Sequence, residues 1–156
     1  MKPRYLRHLF NVWPPSLGAG IHVKALADDW RYARVRLKLR WYNRNYVRTQ
    51  FGGSLFAMCD PWWMILVMEA LGRDYIVWDR AGTIDFIAPG REDVVAEFRL
   101  DDGVLDELRA ATHGGEKCLR WFETEIHAAR SGELIARVRK QLYVRRKPGR
   151  TAASPH

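Results

Sequence analysis

The sequence has few of the residues that build disulfide or metal scaffolds. It contains two cysteines among 156 residues, and its five histidines show no metal-binding spacing. Disulfide-stabilised domains and structural zinc sites both need more, and more closely spaced, ligands. The first thirteen residues are basic and amphipathic but lack the apolar core and small-residue cleavage site of a signal peptide. These absences predict a protein of the reducing cytoplasm.

Acidic residues are missing from the last 23 positions, and the net charge of +8 is divided unevenly along the chain. Residues 1–50 carry a net charge of +9, residues 51–133 carry −8, and residues 134–156 carry +7. A nucleic-acid-binding protein needs its cations on one continuous surface. Basic outer strands that pair with an acidic middle would give the same pattern. Nucleic-acid binding is therefore the weaker alternative.

The composition is that of a folded protein. Apolar residues make up 47% of the chain and aromatic residues 12%, which is ample for a packed core. The length predicts a single domain, which we place over residues 1–147, with a short helix near its N-terminus. Residues 148–156 are small and polar and are predicted to form a flexible tail.

Alternation of apolar and polar residues predicts a mostly antiparallel sheet. From Arg31 to Trp41 apolar residues alternate with basic ones, which is typical of a half-buried strand. Further strands are predicted over residues 21–26, 75–88, 93–100, 119–128 and 134–145, with a hairpin turn at 130–133. Short helices are predicted over residues 4–12 and within 101–113, and a turn over 14–20.

The most apolar segment is Gly52 to Leu71, and it determines the predicted fold. Its length is close to the ~20 residues of a membrane span, but Asp60, Pro61 and Glu69 interrupt it. A central Asp is costly in a bilayer. We therefore predict one long helix that starts near Gly52, runs through Pro61 and is buried inside a curved sheet. In the alternative, Asp60 caps a helix that begins at Pro61.

Residues 45–60 contain the motif that carries chemistry. Asn45 is followed six residues later by Phe51-Gly52-Gly53-Ser54, and Asp60 lies eight residues after the first glycine. Glycines let a backbone approach a ligand, and free N–H groups at a helix start stabilise an oxygen that gains negative charge. A carboxylate two turns further on can activate water or attack a carbonyl carbon. The alternatives are a plain turn at the glycines and a turn-forming role for Asn45.

This motif resembles that of the hotdog-fold acyl-CoA thioesterases of the phenylacetyl-CoA and medium-chain type. Asn45, Gly52 and Asp60 fall on the family's spacing. The Phe-Gly-Gly-Ser-Leu and Asp-Pro pattern is most similar to a bacterial branch described as tetrameric acyl-CoA thioesterases. One residue departs from the pattern, because Phe51 stands where the active relatives have His.

The resemblance implies an α+β hotdog fold over roughly residues 20–146, in which a strongly bent antiparallel sheet wraps a long central helix. It implies hydrolysis of an acyl-CoA thioester, with Asp60, Asn45, Gly52 and Gly53 as catalytic residues. It also implies a homodimer or homotetramer whose sites lie between subunits, and no metal or redox cofactor. Because Phe51 replaces His, a hotdog protein that binds acyl-CoA or a fatty acyl chain without cleaving it is the main alternative.

Five further residues are predicted to contact the substrate. Phe51 and Ser54 flank the glycines, and Asp79 lies on the strand that completes a neighbouring subunit's pocket in related enzymes. Arg145 and Arg146 are suited to the phosphates of coenzyme A, since Arg forks match phosphate oxygens. A surface ion pair is the alternative for Asp79. The basic side chains at positions 34, 36, 38 and 40 form either a solvated sheet face or a second phosphate contact.

Two neighbouring features receive a structural interpretation. Trp62 and Trp63 are predicted to belong to the core; the alternative is that some of this segment lines an acyl pocket. Cys59 is predicted to be a buried apolar thiol, because no His lies in its stretch of sequence.

Overall fold

The computed structural model describes residues 1–148, and a six-stranded antiparallel sheet dominates it. The strands follow the order β1-β2-β4-β5-β6-β3. Their bounds are β1 Ile21–Leu26, β2 Tyr32–Leu37, β3 Tyr75–Phe86, β4 Val94–Arg99, β5 Lys117–Ala128 and β6 Leu134–Arg146. The helices are α1 Pro3–Val12, α2 Pro14–Ala19, α3 Gly52–Ala57, α4 Trp62–Leu71 and α5 Asp102–Ala111.

The sheet wraps the helical segment Gly52–Leu71, and apolar contacts between the two form the core. The Trp63 ring stacks on Phe122 of β5 at 4.8 Å and meets Phe98 of β4 edge-on at 5.6 Å. Its indole Nε1 donates a 2.7 Å hydrogen bond to Thr124 Oγ1. Trp62 is also buried. These contacts agree with the prediction that the segment belongs to the core rather than to a membrane.

The central helical segment, residues 52–71, is interrupted, which corrects the prediction of one continuous helix. A turn over residues 58–61 separates α3 from α4. Pro61 has no N–H to donate, and the N–H groups of Cys59 and Asp60 donate to carbonyls three residues back. Met58 and Pro61 keep right-handed helical dihedrals, so α4 continues the path of α3. The alternative is also wrong, since Pro61 is the N-cap of α4 and Asp60 makes no capping bond.

The predictions for residues 31–41 and 14–20 differ from the structure. The strand expected over residues 31–41 ends at Leu37, and Trp41 is exposed rather than pointing into the core. Asp93 accounts for this end, because its carboxylate accepts a hydrogen bond from the N–H of Leu39 and leaves the sheet without that donor. The turn expected over 14–20 is the short helix α2, which begins at Pro14 and ends with Gly20 at φ 84°. The predicted tail at 148–156 lies almost wholly outside the described residues.

Opposite charges meet across neighbouring strands. Arg36 of β2 pairs with Asp93 at 2.8 Å, and Arg34 lies 3.5 Å from Glu97 of β4. Arg137 of β6 pairs with Glu125 of β5 at 2.9 Å. Basic residues of β2 and β6 therefore pair with acidic residues from the middle of the chain, as the divided charge allowed.

By length and composition the segment Gly52–Leu71 is able to cross a membrane, and it is the one such segment among residues 1–148. The fold buries 56% of its most apolar stretch. The strands of the sheet bury these residues, as expected for a helix in the core of the protein.

Candidate active site

A buried lysine lies at the centre of the candidate site. Lys140 belongs to β6, where the inward-facing positions are otherwise apolar, and its side chain is 5% exposed. Its Nζ lies 2.5 Å from Asp60 Oδ1 and 3.5 Å from Asp79 Oδ1. The ammonium also lies 5.1 Å from the centre of the Phe56 ring. One cation is thus shared between two carboxylates.

Backbone geometry makes room for this cluster. Gly82 of β3 is the register partner of Lys140. A Cβ at Gly82 would lie 2.7 Å from the Phe56 ring and 3.2 Å from Lys140 Cδ. A bulge in β3 between Asp79 and Ala81 shifts the register there. The glycine and the bulge allow the lysine stem, the phenyl ring and the Asp79 carboxylate to occupy the same small volume.

The two carboxylates have different surroundings. The Asp60 side chain is 56% exposed, and the Asp79 side chain is 22% exposed. Burial is the largest cause that raises the pKa of Asp79 above its ordinary 3.8; Lys140 opposes this effect and Asp60 adds to it. Burial likewise raises the pKa of the Cys59 thiol, so Cys59 is the inert buried thiol expected from sequence.

An apolar pocket of about 430 Å³, here called the N-terminal pocket, adjoins Asp60. The first two helices form one side of it and the central helical segment forms the other. Asp60 and Ser16 are its two polar residues. Its lining consists of Phe10, Trp13, Pro15, Ser16, Ala19, Ile21, Phe56, Ala57, Asp60, Pro61 and Trp62.

Asn45 and Gly52 line a different pocket, of about 420 Å³, which we call the loop pocket. Asn45 holds the turn that follows it, since its Oδ1 accepts a 2.9 Å bond from the N–H of Thr49. Its Nδ2 donates to Thr49 Oγ1 at 2.9 Å and to the Gln50 carbonyl at 3.2 Å. Asn45 therefore has the turn-forming role. A catalytic role for Asn45 must use the second lone pair of its Oδ1 atom.

The two glycines bring aromatic rings close to the start of α3. A Cβ on Gly52 would lie 2.8 Å from the Phe86 ring, and a Cβ on Gly53 would lie 2.6 Å from the Phe51 ring. Phe51 is 54% exposed. Ser54 is half-buried, and its N–H donates to the Phe51 carbonyl at 3.0 Å. The N–H groups of Gly52 and Gly53 lie in the first turn, where a helix offers them no internal acceptor.

The structure therefore places Asp60 of one chain in a different pocket from Asn45 and Gly52, and Arg146 in a third. Asp60 lies eight residues after Gly52, about 12 Å along the helical path. Asp79 joins Asp60 through Lys140. Arg145 lies five residues beyond Lys140, about 17 Å along the strand, and its Nε donates to the Gly115 carbonyl at 2.8 Å. Arg146 lines a polar pocket of about 520 Å³ with neighbours that include Asp74, His113 and Lys147.

Lys140 is not among the site residues predicted from sequence, although the strand pattern contains a signal for it. Ala136, Val138, Leu142 and Val144 are all buried on the same face of β6, and Lys140 occupies the position between Val138 and Leu142. A lysine at a core-facing strand position needs an anionic partner, because an unpaired buried charge is costly. The alternation of β6 therefore predicts a carboxylate nearby, though not which one.

Replacing Asp79 with Asn is expected to stabilise the protein at neutral pH. Because the pKa of Asp79 is raised in the folded protein, the protonated carboxyl contributes stability that is fully present below pH 3.8. This contribution is lost as the pH rises through the folded-state pKa of Asp79. The Asn side chain carries no charge at any of these pH values, so the variant does not lose it. In the variant, Lys140 keeps Asp60 as its counter-charge. We expect the melting temperature at pH 7.5 to rise by about 2–4 °C, the shift that 1 kcal/mol produces in a domain of this size. The difference in melting temperature between the variant and wild type should become smaller as the pH is lowered towards 4.

Asp85→Asn on the same strand is the matched control. Its side chain is 59% exposed and lies 3.7 Å from Arg139, so its melting temperature should stay within about 1 °C of wild type, since exposed pairs contribute little. A fall in the melting temperature of Asp79→Asn at pH 7.5 would contradict the claim that the ionised Asp79 carboxylate destabilises the folded protein.

The chain belongs to the family named domain of unknown function DUF4442, whose sequence pattern matches residues 3–144. No curated protein matches the sequence.

Solved structures with the same fold include proteins described as thioesterases. A Pseudomonas aeruginosa protein of unknown function, described as a probable thioesterase, is 20% identical; the match covers 94% of this chain and 97% of that one with a TM-score of 0.82. A Haemophilus influenzae thioesterase is 13% identical, with 97% and 95% covered and a TM-score of 0.67. Mouse thioesterase superfamily member 2 is 15% identical, with 90% and 96% covered and a TM-score of 0.63. The hotdog fold predicted from sequence is thereby confirmed.

Proposed function

We propose that this protein hydrolyses an acyl-CoA thioester to the free acid and coenzyme A. The observation that carries the proposal is the Asp60 carboxylate, which Lys140 holds at the wall of an apolar pocket. A fixed carboxylate beside an apolar cavity has the two parts that thioester hydrolysis needs, a base or nucleophile and a place for an acyl group. The thioesterase names of the structural neighbours point to the same reaction class.

In the proposed reaction Asp60 removes a proton from a water molecule as the water oxygen attacks the thioester carbon. The N–H groups of Gly52 and Gly53 donate to the carbonyl oxygen, which gains negative charge. The C–S bond then breaks, the coenzyme A thiolate takes the proton, and the acid leaves. Asn45 positions the water through its free acceptor lone pair. Direct attack by Asp60 on the thioester carbon is the variant with a covalent intermediate.

Two subunits are needed to complete this site. The glycine N–H groups and the Asp60 carboxylate must both lie about 3 Å from the reacting group. In one chain Asp60 and Gly52 line different pockets, and they lie about 12 Å apart along the helical path. We therefore propose that Asp60 of one chain faces Gly52, Gly53 and Asn45 of another.

The protein is expected to be at least a dimer in solution. Strand β3 lies at one edge of the sheet, and its Ile76, Trp78 and Phe86 side chains are exposed. Long uncovered edges with apolar side chains invite pairing. Light scattering at micromolar concentration should give a mass at least twice the 18.2 kDa of the chain. A particle of 18.2 kDa would contradict the shared site.

Arg145 and Arg146 are proposed to bind phosphates of coenzyme A in the assembly. Both side chains are exposed at the end of β6. Ion pairs with phosphate weaken as salt screens them, so the Kd for coenzyme A should rise several-fold between 50 and 500 mM NaCl. Arg145→Gln/Arg146→Gln should weaken binding and flatten this dependence. Salt-independent binding would exclude phosphate pairing as a main contribution.

The rival function is acyl-CoA binding without cleavage. Phe51 favours it, because an exposed phenyl ring occupies the position of a histidine in active relatives. Thiol release from acetyl-, hexanoyl-, octanoyl- and palmitoyl-CoA separates the two. We expect catalytic release of free thiol from at least one of them. Tight binding of all four with no release above the uncatalysed rate would reject hydrolysis and favour the rival.

A further inference from the structure

We propose that the N-terminal pocket binds the acyl group of the substrate, so that the two N-terminal helices determine which acyl chains are accepted. This inference rests on the proposed function. The helices α1 and α2 precede the first strand and close one side of the pocket with Phe10, Trp13 and Pro15. The other side belongs to the central helical segment, which also carries Asp60.

The position of Asp60 fixes which part of the substrate enters. If the thioester carbon lies against this carboxylate, one substituent of the carbonyl extends into the pocket and the other leads away. Coenzyme A carries several phosphate charges, which cannot enter an apolar cavity without a large desolvation cost. The acyl chain has no such cost, and its burial is favourable. The pocket therefore takes the acyl side.

Aromatic side chains make the inner wall rigid. The Phe10 ring lies 5.1 Å from the Trp62 ring and 5.7 Å from the Trp13 ring. A hydrogen bond from Trp62 Nε1 to the Met58 carbonyl, 3.0 Å long, fixes the Trp62 ring. A wall of packed rings gives the pocket a fixed shape, and Asp60, the one charged residue of the lining, repels acyl groups that carry a second carboxylate. The substrate class is an apolar, uncharged acyl chain.

Ala57→Leu tests this assignment by filling the pocket. Ala57 is exposed on α3 and lines the cavity, so a larger side chain fits without disturbing the core. We expect kcat/KM for octanoyl-CoA to fall about 10-fold or more, since each lost methylene site is worth about that factor. For acetyl-CoA the value should stay within about 3-fold. The control Ala110→Leu, exposed on α5, should change neither.

Equal losses of kcat/KM for octanoyl-CoA and acetyl-CoA, or no loss for either, would overturn the assignment.

A direct binding measurement separates this failure from failure of the proposed function. An S-octyl thioether of coenzyme A should bind at least 10-fold more tightly than coenzyme A alone, and Ala57→Leu should abolish that gain. If wild type cleaves nothing and this pattern holds, hydrolysis is rejected and the pocket assignment stands. If the octyl chain adds no affinity, the pocket assignment is wrong.

A second observation, the buried ammonium, carries a separate inference. The geometry points to Lys140 as a positioning residue that aims the Asp60 carboxylate at the substrate. Its Nζ bonds to Oδ1 of Asp60 at 2.5 Å, which leaves Oδ2 to address water. Asp79 and the Phe56 ring contact the ammonium from other directions. The lysine stem is itself fixed, because it packs against Gly82 inside the sheet.

Lys140 also separates two like charges. Without it, Asp60 and Asp79 would lie together with no cation between them, and the two like charges would repel each other. The lysine therefore separates the two carboxylates as well as orienting Asp60. A purely structural lysine would provide charge balance alone, and this difference can be measured.

Lys140→Met and the double variant Lys140→Met/Asp79→Asn separate the two roles. Methionine keeps the apolar stem, and the added Asp79→Asn change removes the surplus charge. We expect Lys140→Met to lower both the melting temperature and kcat, the latter at least 10-fold, with KM within about 3-fold. The double variant should recover the melting temperature while kcat stays low. Lys24→Met, exposed on β1, is the control.

Recovery of kcat together with the melting temperature in the double variant would show that Lys140 is only structural. Wild-type kcat in Lys140→Met would overturn the proposal outright. Asp60→Asn is measured alongside these variants. If it is inactive while Lys140→Met is fully active, the lysine inference alone fails, whereas an active Asp60→Asn rejects the proposed catalytic role.

Discussion

Asp60→Asn is expected to lower the hydrolysis of a medium-chain acyl-CoA by about 10²-fold or more, the scale of a lost general base. Asn has nearly the same size and keeps an acceptor for Lys140, but it cannot take a proton from water or attack a thioester. Folding should change little, because Lys140 retains Asp79 as its counter-charge. The measurement is thiol release by the purified variant, with its melting temperature recorded in parallel.

Asp106→Asn is the control for this substitution. Asp106 lies on α5, exposed and paired with Arg109 at 2.9 Å, so its loss should leave turnover within about 2-fold of wild type. Asp60→Asn with unchanged turnover would remove Asp60 from the mechanism. A variant that loses binding of acyl-CoA as well as turnover would assign Asp60 to binding instead.

Mixed oligomers should regain the activity that each parent variant lacks. Asp60→Asn and Asn45→Ala each remove one half of the proposed shared site. A heterodimer of the two has one site with both changes and one intact site, so it should show about half of wild-type turnover. Each parent should show about 1%, the scale of a lost base or of a misplaced attacking water.

Differently tagged chains, expressed together and purified through both tags, provide this heterodimer. The melting temperature of Asn45→Ala must be measured as well, because Asn45 also holds the turn to Thr49. A heterodimer no more active than its parents would contradict a site shared between subunits. An active Asn45→Ala parent would remove Asn45 from the mechanism.

Much of the fold could be predicted from the chain because its strands have clear patterns. The alternation in β2 and the glycine turn at Gly132 between β5 and β6 are local signals, and the structure follows them. The end of β2 at Leu37 could not be predicted. It depends on Asp93, which lies more than fifty residues away in the sequence. The alternation of apolar and basic residues continues to Trp41, and it does not indicate that Asp93 ends the strand earlier.

The helix interruption shows how two local rules compete. Apolar continuity from Gly52 to Leu71 favours one helix, and Pro61 favours a new start. The structure satisfies both by a tight turn that keeps the helical path. This turn places Asp60 beside β6, where Lys140 reaches it. Sequence spacing locates Asp60 on the helix, but the contact to Lys140, eighty residues away, comes only from the folding of the sheet.

The most direct test of the central claim is a crystal structure with a 2-oxoalkyl thioether of coenzyme A, in which a methylene separates the sulfur from the carbonyl. We expect a water molecule that is hydrogen-bonded to a carboxylate oxygen of Asp60 to lie about 3–3.5 Å from the carbonyl carbon, the distance of a reactive arrangement. The alkyl chain should fill the N-terminal pocket, and a neighbouring subunit's Gly52 and Gly53 should face the carbonyl oxygen. An analogue bound elsewhere, with Asp60 facing only solvent and Lys140, would contradict the proposed site.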